Sequence, residues 1–338
     1  MESFHAGTVL KLRGNQGEEM VAKLLVVIHA EEEFDWEQGF NSANNAVNHH
    51  QVLIPFMAEL IDVGAKITLA MDYPFVDSPG GQEVISHYQP RVDQQVEFAA
   101  HLHPWVNPPF VSTQEEASDF ESYPCNLSPE IEFEKIRLLT EKIQSVSGMT
   151  PVTYLAGRYG IGPLTNQHLR SLGYQVDLSI SAYCDFSHQS GPDFSERTNQ
   201  PFVENAIRHI PHTSSWLSVS RRLEMKVNQF PSWSKRLNHT GLTRFIGKAL
   251  RLRKYRLSPE GNDLSQLLAI TQAQLNIGQE VFVLSFHSPS VVEGRTPYAQ
   301  TAEDCLNLKT TTRRYIEWFQ QELGGEIVLA KDMAMTEA

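Results

Sequence analysis

The chain has 338 residues, 41% of them hydrophobic and 20% charged, which supplies a core large enough for one α/β barrel with insertions. Its formal net charge of −12 leaves no basic footprint for nucleic acid and no polybasic membrane surface. Three scattered cysteines, Cys125, Cys184 and Cys305, form no CxxC pair, so a thiolate zinc site and a disulfide framework are both disfavoured and a reducing compartment fits best.

Residues 1–22 are polar and glycine-containing and read as an N-terminal arm. No basic segment is followed there by an apolar one, so the expectation is a cytoplasmic protein without a secretory signal. Residues 23–28 (KLLVVI) form an apolar, β-branched run typical of a strand buried on both faces. It is too short to span a bilayer, and it leads into the acidic loop His29-Ala30-Glu31-Glu32-Glu33-Phe34-Asp35-Trp36. A helix is expected over 44–62, a strand over 66–71, a helix over 80–94 and a strand over 96–100, which ends at His101-Leu102-His103-Pro104-Trp105. The rhythm continues with a helix over 127–148 that starts at Ser128-Pro129-Glu130, and a strand over 152–156 followed by Gly157-Arg158-Tyr159-Gly160. A helix over 162–172 and a strand over 175–180 come next. From about 195 to 255 the pattern breaks down into an Arg-, Ser- and Trp-rich stretch without an apolar core of its own, read as an insertion or lid. A helix over 259–276, a strand over 281–286 ending at His287, a helix over 301–322 and a strand over 326–329 complete the chain. Alternating strands and helices imply a parallel sheet in one domain over 23–335, with each polar cluster just after a strand, where sites sit in barrels and doubly wound sheets.

Strand alternation puts His29 and Glu31 on one face and Glu32 on the other. A carboxylate there can ligate a divalent metal, although three consecutive glutamates are also what a solvated acidic loop looks like. His101 and His103, at i and i+2, share a face of an extended backbone, and neutral imidazole is a common metal ligand. Arg158 offers a fork for a carboxylate, but on its own it reads better as a surface Arg in a glycine-rich turn. Asp177, close to a strand end, fits either a residue that orients a catalytic His or a cap. His287 directly after an apolar strand can act as a general acid near neutral pH. A serine hydrolase built on Ser285 or Ser288 with His287 ranks low, since no Gly-x-Ser-x-Gly elbow is present.

Taken in order, the acidic strand-end loop, His-Leu-His-Pro-Trp, Ala-Gly-Arg-Tyr-Gly, the strand with Asp177 and Leu-Ser-Phe-His-Ser-Pro-Ser resemble the polysaccharide deacetylases (NodB-homology, carbohydrate esterase family 4). The similarity is greatest to their WalW-like branch, which carries Glu-Glu-Glu-Phe-Asp-Trp and His-Leu-His-Pro-Trp. It spans about residues 23–330. The resemblance implies a distorted (β/α) barrel of about seven parallel strands, TIM-barrel-like, with an insertion at about 195–255. It also implies one divalent metal ion, typically Zn²⁺, held by a carboxylate and two histidines. The carboxylate position falls on Glu31, with Glu32 as the fallback, and the first histidine on His101. Trp105 occupies the family's second histidine position, so His103 is expected to substitute. His29 stands where the family has its Asp base, Arg158 where an Arg orients that base, Asp177 where an Asp orients the acid, and His287 at the acid itself. The implied activity is hydrolysis of an N-acetylated sugar or related amide, with Trp36, Trp105 and Tyr159 as substrate platforms. The alternative is a degenerate member that binds a glycan or nucleotide-sugar without turnover.

Overall fold

The computed structural model describes residues 12–13, 19–36, 39–110, 116–234, 245 and 247–335. Among them, nine strands form the main sheet: β1 (Lys23–Ala30), β2 (Ile67–Met71), β3 (Val96–Leu102), β4 (Thr153–Ala156), β5 (Val176–Asp177), β6 (Phe202–Glu204), β7 (Ile207–His209), β8 (Val281–His287) and β9 (Glu326–Ile327). Their spatial order is β6-β7-β5-β4-β3-β2-β1-β8, with β9 beside the start of β1. Every pairing is parallel except the β6–β7 hairpin. The run from β7 to β8 therefore contains seven parallel strands, the number expected, and the curled sheet is a distorted (β/α) barrel. Between its two ends the chain bridges through Thr213 and Leu257. Val283 N–H donates to Thr213 Oγ1 at 2.9 Å, Leu257 N–H to Thr213 O at 2.8 Å, and Ser285 N–H to Leu257 O at 3.3 Å.

Helices α1 (His50–Asp62), α2 (Pro79–Tyr88), α3 (Pro129–Ser147), α4 (Thr165–Ser171), α5 (Leu264–Leu275) and α6 (Ala302–Gln321) cover the outside of the sheet. The expected start of α3 is correct: the Ser128 hydroxyl accepts from Ile131 N–H, and Gly148, at φ +70°, ends the helix. None of the described helices is long and apolar enough to cross a membrane.

Because side chains alternate along a strand, each strand feeds two cores. Leu24, Val26 and Ile28 of β1 pack beneath the helices with Val96, Phe98, Phe282 and Leu284. Leu25 and Val27 face the barrel interior with Ala70, Ala99, Leu155, Val176 and Val283. The same parity carries His29 and Glu31, His101 and His103, and Ser285 and His287 to the interior side. At the other end, Val328 and Ala330 close the interior core. Ala330 N–H donates to Thr68 Oγ1 at 3.1 Å, and Lys331 N–H to Glu97 Oε2 at 3.0 Å.

Three strands run further than expected, and each gains a polar residue: β1 reaches Ala30, β3 reaches Leu102 and β8 includes His287. The region at 195–255 is less of an insertion than its composition suggests. Residues 202–209 add β6 and β7 to the barrel sheet, and the excursion proper carries a second hairpin, Ser214–Leu217 with Arg253–Arg256, and the helix Arg221–Gln229. Of the N-terminal arm, Leu12–Arg13 pairs with Glu19–Met20; most of the remainder lies outside the described residues.

Candidate metal and acid–base site

A cleft of about 470 Å³ opens at the C-terminal end of the strands, lined by His29, Glu31, His101, His103, Arg158, Tyr159 and His287 among others. Its outer wall is aromatic, with Phe34, Trp36, Phe40 and Trp105.

Glu31, His101 and His103 converge there. Glu31 Oε2 lies 3.5 Å from His101 Nε2 and 3.6 Å from His103 Nε2. Ligand atoms on a tetrahedral ion with bonds of about 2.1 Å are about 3.4 Å apart, so this spacing suits a small divalent cation. Two further observations fit. His101 Nδ1 donates to Leu155 O at 3.1 Å, which turns the Nε2 lone pair toward Glu31, and that Nε2 is buried without a hydrogen-bond partner. His103 Nδ1 is 2.8 Å from Glu32 Oε2, the carboxylate–histidine arrangement that fixes the tautomer of a ligating imidazole. These residues could hold a metal ion. Burial opposes a charge on Glu31, but His287, His101 and His103 outweigh it and hold the carboxyl at about 2.

The three glutamates of the acidic loop have three different surroundings, and none is a solvated side chain. Glu32, expected as a fallback ligand, sits behind His103: it also accepts from Trp105 Nε1 at 2.9 Å, and its own N–H donates to Asp72 Oδ2 at 2.9 Å. Burial lifts the Glu32 carboxyl to about 7, and burial together with Glu32 raises Asp72 well above the carboxylate range. Two buried carboxyls this close do not both ionise. Glu33 accepts from Asn48 N–H at 2.8 Å, lies 3.3 Å from His49 Nδ1 and pairs with Arg295 at 3.0 Å.

Beyond the loop, His287 is held by Glu260, which sequence reasoning missed. His287 Nδ1 is 2.8 Å from Glu260 Oε2, and His287 N–H donates to Oε1 at 3.1 Å. Burial alone would lower the imidazole; Glu260 and Glu31 overcome it and raise it to about 9. Glu260 falls in Ser258-Pro259-Glu260-Gly261, at the start of the helix expected over 259–276, and gives no signal of a site; in the structure the helix starts later, at Leu264. His29 faces His287 across β1 and β8, with rings 4.8 Å apart. Burial, then His287 and His101, push its imidazole well below the ordinary value, and its Nε2 has no partner. His212, also missed, stands with its ring 5.4 Å from His29, and its Nδ1 is 3.0 Å from Ser285 Oγ.

Two expected roles do not survive the geometry. Asp177 was expected to orient the acid. It pairs in register with Tyr154 on the outer face of the sheet and binds His209 Nδ1 at 2.8 Å, one strand parity away from the cleft. Arg158 was expected to orient the base. It lies at the cleft rim with Nη1 3.0 Å from Asp119 Oδ1 and Nη2 2.7 Å from Gln189 Oε1, stacked over Tyr123 and Phe40, and makes no bond to His29. The backbone explains this: Arg158 and Tyr159 both have left-handed φ, +52° and +60°, which turns Tyr159 inward and Arg158 outward. Gly157 has to be glycine, because a Cβ there would meet Leu102 O at 2.5 Å and His103 Cδ2 at 2.7 Å. The serine-hydrolase pairing also fails, since Ser285 bonds to His212, Ser288 bonds to His49, and His287 belongs to Glu260.

Of the expected platforms, Trp36 is 49% exposed and meets Phe34 edge-on at 5.2 Å. Trp105 is stacked on His103 at 4.3 Å as well as lining the cleft. Its loop is fastened from below by the buried Lys135, whose ammonium donates to the carbonyls of Pro104 (2.9 Å), Asn107 and Pro109 (2.8 Å).

No family model and no curated protein matches the chain. Solved structures do. A candidate polysaccharide deacetylase from Mycobacterium smegmatis aligns over 94% of this chain and 89% of its own, with 11% identity and a TM-score of 0.51. A 4-alpha-glucanotransferase from Thermococcus litoralis aligns over 93% of this chain and 40% of its own, with 11% identity and a TM-score of 0.50. A further candidate polysaccharide deacetylase, from Pseudomonas aeruginosa PAO1, covers 92% of this chain and 89% of its own at 13% identity and a TM-score of 0.48. At these identities the likeness is one of fold.

Proposed function

We propose that the protein is a metal-dependent hydrolase that removes an acyl group, acetyl being the simplest, from an N-acylated sugar or related amide. The observation that carries this reading is the meeting of two devices in one cleft: the Glu31–His101–His103 donor set and the Glu260–His287 pair. The similarity to polysaccharide deacetylase structures supports the fold it requires.

A divalent ion, Zn²⁺ by the mixed imidazole–carboxylate donor set, would be held by Glu31, His101 and His103 and would supply Lewis-acid polarisation of the amide carbonyl and of a water molecule. Glu32 and the Leu155 carbonyl orient the two imidazoles. His29, neutral and with an unpartnered Nε2, is the group able to take a proton from the attacking water. His287, held protonated by Glu260, gives its proton from Nε2 to the leaving amine nitrogen as the C–N bond breaks. The aromatic wall of Phe34, Trp36, Phe40 and Trp105 offers apolar faces to a sugar ring and keeps water from the outer cleft. Asp177 is given no part in the reaction, and Arg158 is given only the rim.

The test is acetate release from N-acetylated sugars by the zinc-loaded protein, with H287A beside it. Turnover that a chelator abolishes and H287A lowers by two or more orders of magnitude is expected. Sugar binding without any acetate release would instead favour a glycan-binding protein, a reading prompted by a histidine at the base position.

A further inference from the structure

At the inner end of the cleft its lining residues Tyr159 and His29 adjoin further unpaired polar groups, and of these the reaction above uses only His29. Tyr159 Oη, His212 Nε2 and His29 Nε2 are all buried without hydrogen-bond partners. The three rings are neighbours: His29 to His212 is 5.4 Å, Tyr159 to His212 is 5.2 Å and His29 to Tyr159 is 6.4 Å. Over the Tyr159 ring, 5.0 Å from its centre, lies the guanidinium of Arg256. Among the described residues this guanidinium has the ring as its partner and no hydrogen bond or ion pair. The carboxylate facing it, Glu260, is already taken up by His287 and Ser290. Lys254 on the same strand is spent on Tyr183 O and Cys184 Sγ.

An arginine whose facing carboxylate is shared with His287 is incompletely compensated, and the unpartnered phenol of Tyr159 and imidazole of His212 beside it add to that cost. One kind of ligand relieves all of it at once, namely an oxyanion, which takes a forked pair of bonds from the guanidinium and single bonds from neighbouring donors. Tyr159 is a donor by nature, and His212 donates from Nε2 whenever the Ser285 hydroxyl donates to its Nδ1. An uncharged hydroxyl-rich group would leave the arginine incompletely compensated.

We propose that Arg256, Tyr159 and His212 form a subsite for an anionic group, carboxylate or phosphate, carried by the substrate. This rests on the reading of the cleft as a substrate site and narrows it: the substrate is an acidic sugar, a sugar phosphate or another anionic amide, and a neutral N-acetyl sugar lacks the anchor. Arg256 acts here as a specificity residue through binding.

The experiment is calorimetric titration of the full chain, stripped of metal by chelator, with inorganic phosphate, glucuronate and glucose. The H101A/H103A double variant, R256Q, R256K and Y159F are run in parallel. Binding of phosphate or glucuronate, but not glucose, is expected in wild type and in the double variant, because the subsite does not need the metal ligands. R256Q should weaken it at least tenfold, with R256K and Y159F intermediate. Whichever anion binds more tightly identifies the source. Anion binding that disappears in H101A/H103A and persists in R256Q would assign the anion to the metal position and overturn the proposal, as would absence of binding by either anion. Should R256Q not fold, undiminished binding in both R256K and Y159F would overturn it equally. Since the readout is binding to metal-free protein, failure of the hydrolase reading leaves this result standing, and the reverse also holds.

Discussion

His287 and Glu260 are the pair on which the proposed chemistry turns. The imidazole is lifted to about 9 against the pull of burial, and Glu260 is the first charge that lifts it. A general acid works while protonated, so activity is lost as pH rises through the titration of His287. In E260Q the amide keeps a hydrogen-bonding oxygen but not the charge, and the basic limb of the kcat/KM profile is expected to move to lower pH. A basic limb in the same place in both proteins would exclude His287 as the acid. At this scale the sequence is informative about residue types and silent about partners. His101, His103, Glu31 and His287 could be chosen because each follows an apolar run. Glu260, His212 and Arg256 could not, because nothing local distinguishes a turn glutamate or a strand arginine from its neighbours until the fold sets it against residues of the cleft. Trp105 has a physical role of its own: its indole stacks on His103 and donates to Glu32, so the imidazole is braced on its face and, through Glu32, at its Nδ1.

At the scale of elements, strand parity decides what a residue can do. His29 and Glu31 on β1 share the interior face with Leu25 and Val27, whereas Asp177 follows Val176 and so points outward to His209. The alternation of Val176, Leu178 and Ile180, all in the interior core, already sets Asp177 on the opposite face, and it is the resemblance rather than the strand pattern that puts it in the site. It follows that D177A removes the partner of a buried imidazole and not a catalytic group. We expect a loss of stability of about 1–3 kcal/mol in denaturant titration, with metal content unchanged. Loss of metal at full stability would contradict the outward placement. The long elements were legible because periodicity and punctuation agreed, as at Ser128-Pro129 and Gly148 around α3. The 195–255 region was not, because β6 and β7 are three residues each and the polar surroundings mask their contribution to the sheet.

For the molecule as a whole, the barrel tolerates buried ionisable groups outside the site, and these set how stability varies with pH. Glu132 of α3, buried against Thr165 of α4, is raised by burial from 4.5 to about 7. Below about pH 4.5 folded and unfolded chains both bind its proton, so it contributes no difference. Between 4.5 and 7 the unfolded chain ionises first and stability falls, and above about 7 the penalty is constant. E132Q keeps an acceptor for Thr165 and is expected to be more stable than wild type at pH 8, by on the order of 1–3 kcal/mol, and equal to it at pH 4. Equal stability at pH 8 would mean that Glu132 ionises freely in the folded state.

The barrel architecture brings Glu31 and His101, 70 residues apart in sequence, to a common point, and the central claim is that a divalent ion binds there. Metal analysis after dialysis against zinc, comparing wild type with the H101A/H103A variant, tests it most directly. The account predicts one equivalent of zinc per wild-type chain and its loss from a variant that remains folded. Zinc absent from wild type, or retained in full by the variant, would contradict it.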